Sequence, residues 1–264
     1  MRGIDYMKLM TNLSNYVLAA LLTLSIANAA EWSYEEQKRW GSIEDHSQHE
    51  VPHIYPYAVC SIGQHQSPVD LATSQVSKRL NNLKFRYYAD KPDFFNTGHA
   101  VQVNLSNDYQ GELLVGKEAY PLIQLHFHEP SEHVIGTKIF PAELHFVHVR
   151  DDGKIAVLGV LLEIGKDNPV FQTILENTPP QGGELKQDSD VWLSITSLLP
   201  EKRGEYYTLA GSLTTPPCSE GVDWYVLTDT TEISETQLDR LKSFFSGNAR
   251  LKQELNNRAI AKKK

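Results

Sequence analysis

The sequence predicts a mostly β fold, one large domain built around a sheet and flanked by short peripheral helices. Three observations predict it. Apolar and polar residues alternate with period two through the middle of the chain, as in strands with two unlike faces. Turn residues such as Asn107-Asp108 and Asp151-Asp152-Gly153 punctuate these runs. Helix start signals occur at only two places.

The elements follow in chain order. Residues 1–30 stand apart from the fold. Arg2 and Lys8 give a basic start, Tyr16–Ile26 is an apolar run, and Ala27–Ala29 supplies small residues for cleavage. This predicts a secretory signal peptide at 1–30 and a single domain at 31–264, with export to a periplasm or the outside medium. The run is shorter than the roughly 20 residues of a membrane span, so the mature form carries no span. An uncleaved anchor is the alternative. No cysteine follows the run to serve as a lipid attachment point.

Strands are expected at Ala100–Ser106, Gly111–Gly116, Pro121–His128 and Ala142–Val149. Lys154–Gly165 is almost continuously apolar, as in a strand buried on both faces. Val222–Thr228 is another strand. Asn168-Pro169 supplies an N-cap and a first-turn proline for a helix over "VFQTILEN". Ser234 and Gln237 form a capping box ahead of "LDRLKSFF", with Gly247 as the expected stop.

The formal net charge is −8, and residues 1–30 contribute two cations and one anion, so the remainder is more acidic still. That balance argues against nucleic acid and anionic membrane surfaces as partners. Two cysteines, Cys60 and Cys218, suggest a disulfide in an exported chain, with two free thiols as the alternative. The basic "AKKK" end and the polar "EDHSQHE" segment are the biased stretches.

"QLHFHEPSEH", Gln124–His133, places three histidines and two glutamates in ten residues. Alternation puts Gln124, His126 and His128 on one strand face and Ile123, Leu125 and Phe127 on the other. On "AELHFVHV", Glu143, His145 and Val147 share a face, opposite Leu144, Phe146 and His148. If the strands lie side by side, His126, His128 and His145 converge. Three imidazoles with an open position make a catalytic zinc arrangement, and a pair of hydrogen-bonded strand histidines is the bland alternative. Gln124 and Glu143, each two residues from a candidate ligand, are the expected acceptors for the ligands' second ring N–H. His46, His49 and His53 fall in a polar loop, His65 at the surface, and His133 and His148 in structural hydrogen bonds.

The ordered motifs "EWSYE", "QSPVDL", "NTGHAV", "QLHFHEPSEH", "AELHFVHV", "GKIAVLGVLLEIG" and "GSLTTPPCSEGVDWYVL" resemble those of the α-class carbonic anhydrases, secreted bacterial members in particular, from Trp32 to about Arg258. The resemblance implies a large, mainly antiparallel twisted sheet of about ten strands. It implies reversible hydration of carbon dioxide to bicarbonate and a proton by a zinc lyase, with hydroxide on Zn2+ as nucleophile. It implies His126, His128 and His145 as ligands. Thr214 matches the threonine that faces the hydroxide, and Glu132 the carboxylate that takes the threonine's proton. Thr215 matches a bicarbonate contact. Val147, Val157, Leu213, Val222 and Trp224 match the apolar wall for carbon dioxide. His99 matches the proton shuttle and Tyr34 a tyrosine that orders water. Cys60–Cys218 matches the disulfide of secreted members. Sulfonamides and anions are the implied inhibitors.

Three departures stand out. Glu129 and Pro130 replace a tryptophan and a glycine. Thr97 and Gln102 stand where asparagine is frequent. Asn248–Arg258 lacks the usual prolines, so its packing is expected to differ. The rival implied by the same resemblance is a non-catalytic binding or adhesion domain, but such domains usually lack a zinc histidine and this chain keeps all three.

Overall fold

A computed structural model describes residues 30–46, 54–187, 190–245 and 247–264. The expected signal peptide, apart from Ala30, and His49 and His53 lie outside the described residues. The strands are β1 (Gln75–Val76), β2 (Leu83–Arg86), β3 (Ala89–Asp90), β4 (Asp93–Asn96), β5 (Val101–Asn104), β6 (Glu112–Val115), β7 (Glu118–His128) and β8 (Ala142–Val149). They continue with β9 (Ile155–Ile164), β10 (Glu184–Lys186), β11 (Leu193–Ser194), β12 (Tyr206–Ser212), β13 (Glu220–Leu227), β14 (Thr231–Ile233) and β15 (Ala261–Lys263). Among the described residues three α-helices accompany them: α1 (Val59–Ile62), α2 (Pro169–Asn177) and α3 (Glu235–Lys242).

One 13-stranded sheet organises the molecule, with the order β1-β15-β12-β13-β9-β8-β7-β5-β4-β10. β14 joins through β9, and β6 joins through β7 and carries β2. The mainly antiparallel expectation needs one correction, because the sheet is mixed. β13 and β14 pair β9 in parallel, as does β1 with β15. The physical reason is connection length. Hairpin neighbours such as β8 and β9 must run antiparallel, whereas β9 reaches β13 only after α2 and several short strands.

Alternation sorts the centre of the sheet as its residues dictate. Leu125, Phe127, Leu144, Phe146, Leu158 and Val160 pack with Phe171, Ile174 and Leu175 of α2 and with Leu238 and Leu241 of α3. The opposite face gathers Val147, Val157, Leu161, Val222, Trp224 and Val226. β8 is buried along its whole length, so it forms the middle of the molecule.

The helices begin where their caps dictate. The Asn168 side chain accepts from the N–H groups of Val170 and Phe171, with Pro169 in the first turn. Ser234 and Gln237 form the capping box of α3. Gln237 also donates to the Asn168 carbonyl at 2.8 Å and accepts from the Asn168 N–H at 3.0 Å, which locks the two helix starts together. The expected stop is corrected: α3 ends at Lys242, and the Ser243 N–H closes its last turn. Gly247, at φ +67°, instead turns the chain toward Asn248. The basic C-terminal end is a strand. β15 lies between β1 and β12, the Lys263 ammonium donates to the Leu80 carbonyl, and Lys262 sits 4.9 Å over the Tyr207 ring. Among the described residues no helix is long and apolar enough to cross a membrane.

Candidate metal centre and active site

Register builds the centre. β7 and β8 run antiparallel with His126 directly opposite His145 and His128 opposite Glu143. Two strands therefore bring three imidazoles to one face without any loop rearrangement. One nitrogen from each of His126, His128 and His145 lies within 4.8 Å of the others.

The other nitrogen of each ring is occupied. His126 Nδ1 donates to Gln124 Oε1 at 2.8 Å. His145 Nε2 donates to Glu143 Oε1 at 3.0 Å. His128 Nδ1 donates to the Asn248 carbonyl at 2.7 Å. These bonds set the tautomers, so lone pairs remain on His126 Nε2, His128 Nε2 and His145 Nδ1. Gln124 and Glu143 are the two partners that strand alternation anticipates. Asn248 is not among them. It lies 120 residues from His128, and no sequence period connects them.

Asn248 has every polar group engaged. Its Nδ2 donates to the carbonyls of His99 and Phe127, and its Oδ1 accepts from the Glu129 N–H. Its own N–H donates to the Glu129 carbonyl. The segment that lacks the usual prolines thus still docks beneath the centre.

Burial holds the three rings in the ligand form. Desolvation pushes His126 well below the ordinary histidine range, lowers His128 to about 4 and lowers His145; the neighbouring rings add to the effect. A neutral imidazole offers a lone pair where an imidazolium offers none. His128 Nε2 is buried and has no hydrogen-bond partner. A buried orphan nitrogen aimed at two other free lone pairs is costly unless a cation fills the space. Three nitrogen donors with an open fourth direction suit Zn2+. His133, Glu143 and His145 form a second cluster, but not a second metal site. Glu143 accepts from the N–H groups of Glu132 and His133, from His133 Nδ1 and from His145 Nε2. Its carboxylate is held well below the usual range by His133 and His145 against burial. His133 is thus structural, and so is His148, which bonds Tyr87 on the helix-facing side.

Glu132 sits behind the free lone pairs. Its Oε2 is 3.5 Å from His128 Nε2 and 3.9 Å from His145 Nδ1, and Oε1 accepts from the Arg250 N–H at 2.8 Å. Burial raises its carboxyl to about 7, against the pull of His145, the Arg250 N–H and the Thr214 hydroxyl. Oε2 has no partner of ordinary hydrogen-bond geometry, so the Thr214 contact is loose. Thr214 is buried and Thr215 is half-buried beside it. Trp224 packs its ring edge-on to His145 at 4.9 Å and donates from Nε1 to the Ser212 carbonyl at 3.0 Å. Val147, Val157 and Val222 are buried with it, and Leu213 packs alongside.

His99 lies toward the surface. Its ring stacks on Trp32 with centroids 4.0 Å apart and planes 14° apart, and Tyr34 meets it edge-on at 6.3 Å. Tyr34 has a buried hydroxyl without a partner, and burial keeps it protonated. Cys60 and Cys218 are joined in a disulfide.

The site and the fold define a sheet-mounted three-histidine metal enzyme. The eukaryotic-type carbonic anhydrase family matches residues 46–264. A carbonic anhydrase of Neisseria gonorrhoeae is 37% identical over 237 residues, covering 88% of each chain. One from Nostoc is 36% identical over 243 residues, covering 89% of this chain and 86% of its own. The α-carbonic anhydrase of Thermovibrio ammonificans, solved with the inhibitor sulfanilamide, superposes with a TM-score of 0.79 at 35% identity, covering 88% of this chain and 99% of that one. This chain belongs to the α-carbonic anhydrase family.

Proposed function

We propose that the chain hydrates carbon dioxide reversibly at a zinc centre held by His126, His128 and His145. The observation that carries this is the convergence of three free ring nitrogens, each opposite a nitrogen already committed to a protein acceptor. Zinc supplies a Lewis acid that makes water nucleophilic near neutral pH, an effect for which carbonic anhydrase is itself the reference case.

The protein's own groups do the remaining work. Gln124, Glu143 and the Asn248 carbonyl fix the three rings so that no reorganisation accompanies turnover. Thr214, on closing its loose contact with Glu132, would commit its single proton there and leave only lone pairs on the threonine oxygen facing the centre. It therefore orients a donor placed between itself and the histidines. Thr215 contacts the bicarbonate oxygens. Val147, Val157, Leu213, Val222 and Trp224 form a dry wall against which apolar carbon dioxide rests. His99 takes the product proton on its ring and passes it to buffer. Tyr34 orders water between His99 and Thr214.

Residues 1–30 act as a signal peptide, and the domain at 31–264 works outside the cytoplasm, in a periplasm or the medium. The Cys60–Cys218 bridge supports that location. Simple sulfonamides inhibit by presenting an anionic nitrogen that still carries one proton for Thr214. The test is stopped-flow carbon dioxide hydration with zinc analysis on one purified sample. Fast hydration, one zinc per chain and loss of turnover with sulfanilamide are expected. A zinc-loaded protein without hydration activity would overturn the reading.

A further inference from the structure

The segment Trp32–Glu35 builds one wall of the His99 site, and Glu35 is its charged member. Trp32, Tyr34 and Trp40 form an aromatic cluster with ring centroids 5.2 to 5.7 Å apart. Trp40 Nε1 donates to the Ser33 carbonyl at 2.7 Å, which fixes the backbone between the rings. That anchoring places Glu35 and His99 on the same small cavity of about 200 Å³, lined also by Ser33, Tyr34, Gly98 and Asn248. Hydrogen bonding to its own N–H and to the Ser33 side chain holds the exposed Glu35 carboxyl below the ordinary range, with His99 adding to the effect. His99 is fixed from the other side. Its N–H donates to Thr97 Oγ1 at 3.0 Å, and its carbonyl accepts from Asn248 Nδ2 at 2.9 Å.

We propose that Glu35 is a positioning residue for proton export, a negative charge on the same cavity that holds the protonated His99 ring at its Trp32-stacked station until buffer collects the proton. The inference rests on the reading of His99 as the proton relay. Half-burial makes it harder for His99 to keep a proton, and Glu35 opposes that loss. Without the carboxylate the ring would shed its proton at lower pH and accept one from the cleft less often. Glu35 itself gains no proton, since its carboxyl stays below the ordinary range. The ring gains one proton from the cleft and gives that proton to a buffer base. Tyr34 is the other titratable side chain on this cavity, and it stays neutral because burial raises it. Gly98, Phe245, Gly247 and Asn248, which close the remaining sides, bring no charge.

The experiment uses the full exported chain loaded with zinc, in the wild-type, Glu35→Gln, Glu35→Asp and His99→Ala forms. The His99 ring is titrated by NMR, and hydration is followed by stopped flow in dilute buffer. In Glu35→Gln the His99 titration is expected to move down by about half a unit, since an exposed charge acts through solvent. Turnover at saturating carbon dioxide should fall about two- to threefold near neutral pH, with its pH profile shifted in the same direction. Glu35→Asp should restore most of both, and high salt should erase the difference between wild type and Glu35→Gln. An unmoved His99 titration in Glu35→Gln, with turnover still lost in His99→Ala, would overturn the role of Glu35 alone. Full turnover of His99→Ala in dilute buffer would overturn the relay itself and, with it, any part for Glu35 in proton export.

Discussion

At the scale of single residues, the centre depends on how each histidine spends its two nitrogens. His128 has one nitrogen on the Asn248 carbonyl and the other buried without a partner. His128→Ala should remove most of the zinc and, with it, the hydration activity. Full zinc occupancy by metal analysis would refute the ligand assignment. His148 shows the opposite use of the same side chain. It donates from Nδ1 to the Ala156 carbonyl at 3.1 Å and accepts from the Tyr87 hydroxyl at 2.7 Å. Burial lowers it to about 3, against its backbone hydrogen bonds. The unfolded chain binds a proton there near pH 6.5, while the folded chain does not until about pH 3. Stability from this group is therefore full above pH 6.5 and is lost progressively as pH falls toward 3. Between pH 7 and pH 5 the loss is about 2 kcal/mol. A Tyr87→Phe, His148→Leu double variant removes donor and acceptor together. Its urea stability should change less over that interval than that of the wild type, and an equal change would show that His148 does not set the acid limit.

At the scale of elements, the legible part of the site was what strand period can carry. Alternation put Gln124, His126 and His128 on one face and Glu143 and His145 on another, and pairing of β7 with β8 joined them. Contacts that cross the fold through backbone groups left no such mark. The Asn248 carbonyl and the Arg250 N–H come from an irregular segment after α3, and a carbonyl or N–H gives no residue-type signal. The stop at Gly247 was misplaced because a glycine with positive φ serves a loop as readily as a helix end. Gly159 was similarly silent inside an apolar run. It pairs with His145 across β8 and β9, and a Cβ there would lie 2.9 Å from Glu143 Oε1 and 3.3 Å from Val226. A glycine inside a strand marks such a close approach. Gly159→Ala should push Glu143 off His145 Nε2 and weaken zinc binding about 10- to 100-fold, measured by competition with a chelator. Unchanged affinity would mean that Glu143 can shift without releasing the ring.

At the scale of the whole molecule, an early and a late segment of the chain meet at the site through one buried arginine. Arg250 donates from Nη1 to the Ser67 carbonyl at 2.7 Å, from Nη2 to the Cys60 carbonyl at 3.1 Å and from its N–H to Glu132. Burial lowers it to about 10, so it still carries its charge at neutral pH. Cys60 is bridged to Cys218, 158 residues away, and the Cys218 N–H donates to the Thr215 carbonyl at 2.8 Å. The bridge therefore holds the Thr214–Thr215 turn and the arginine beneath Glu132 to one anchor. A loop that long gives a chain-entropy effect of at most about 5 kcal/mol, and 2–4 kcal/mol is the usual range. If the bridge were only a staple, losing it would cost stability and nothing else. The connections to Thr215 and Arg250 predict more. A Cys60→Ser, Cys218→Ser double variant should lose about 2–4 kcal/mol in urea and also bind sulfanilamide several-fold more weakly under conditions where it is fully folded. Leu175→Ala, a cavity in α2 on the far side of the sheet, should cost a similar 2–5 kcal/mol while leaving sulfanilamide binding unchanged. The comparison separates global loosening from a local tether. Equal sulfanilamide affinity in the two variants would reduce the disulfide to a staple, whereas weakening confined to the serine variant would place it within the architecture of the site.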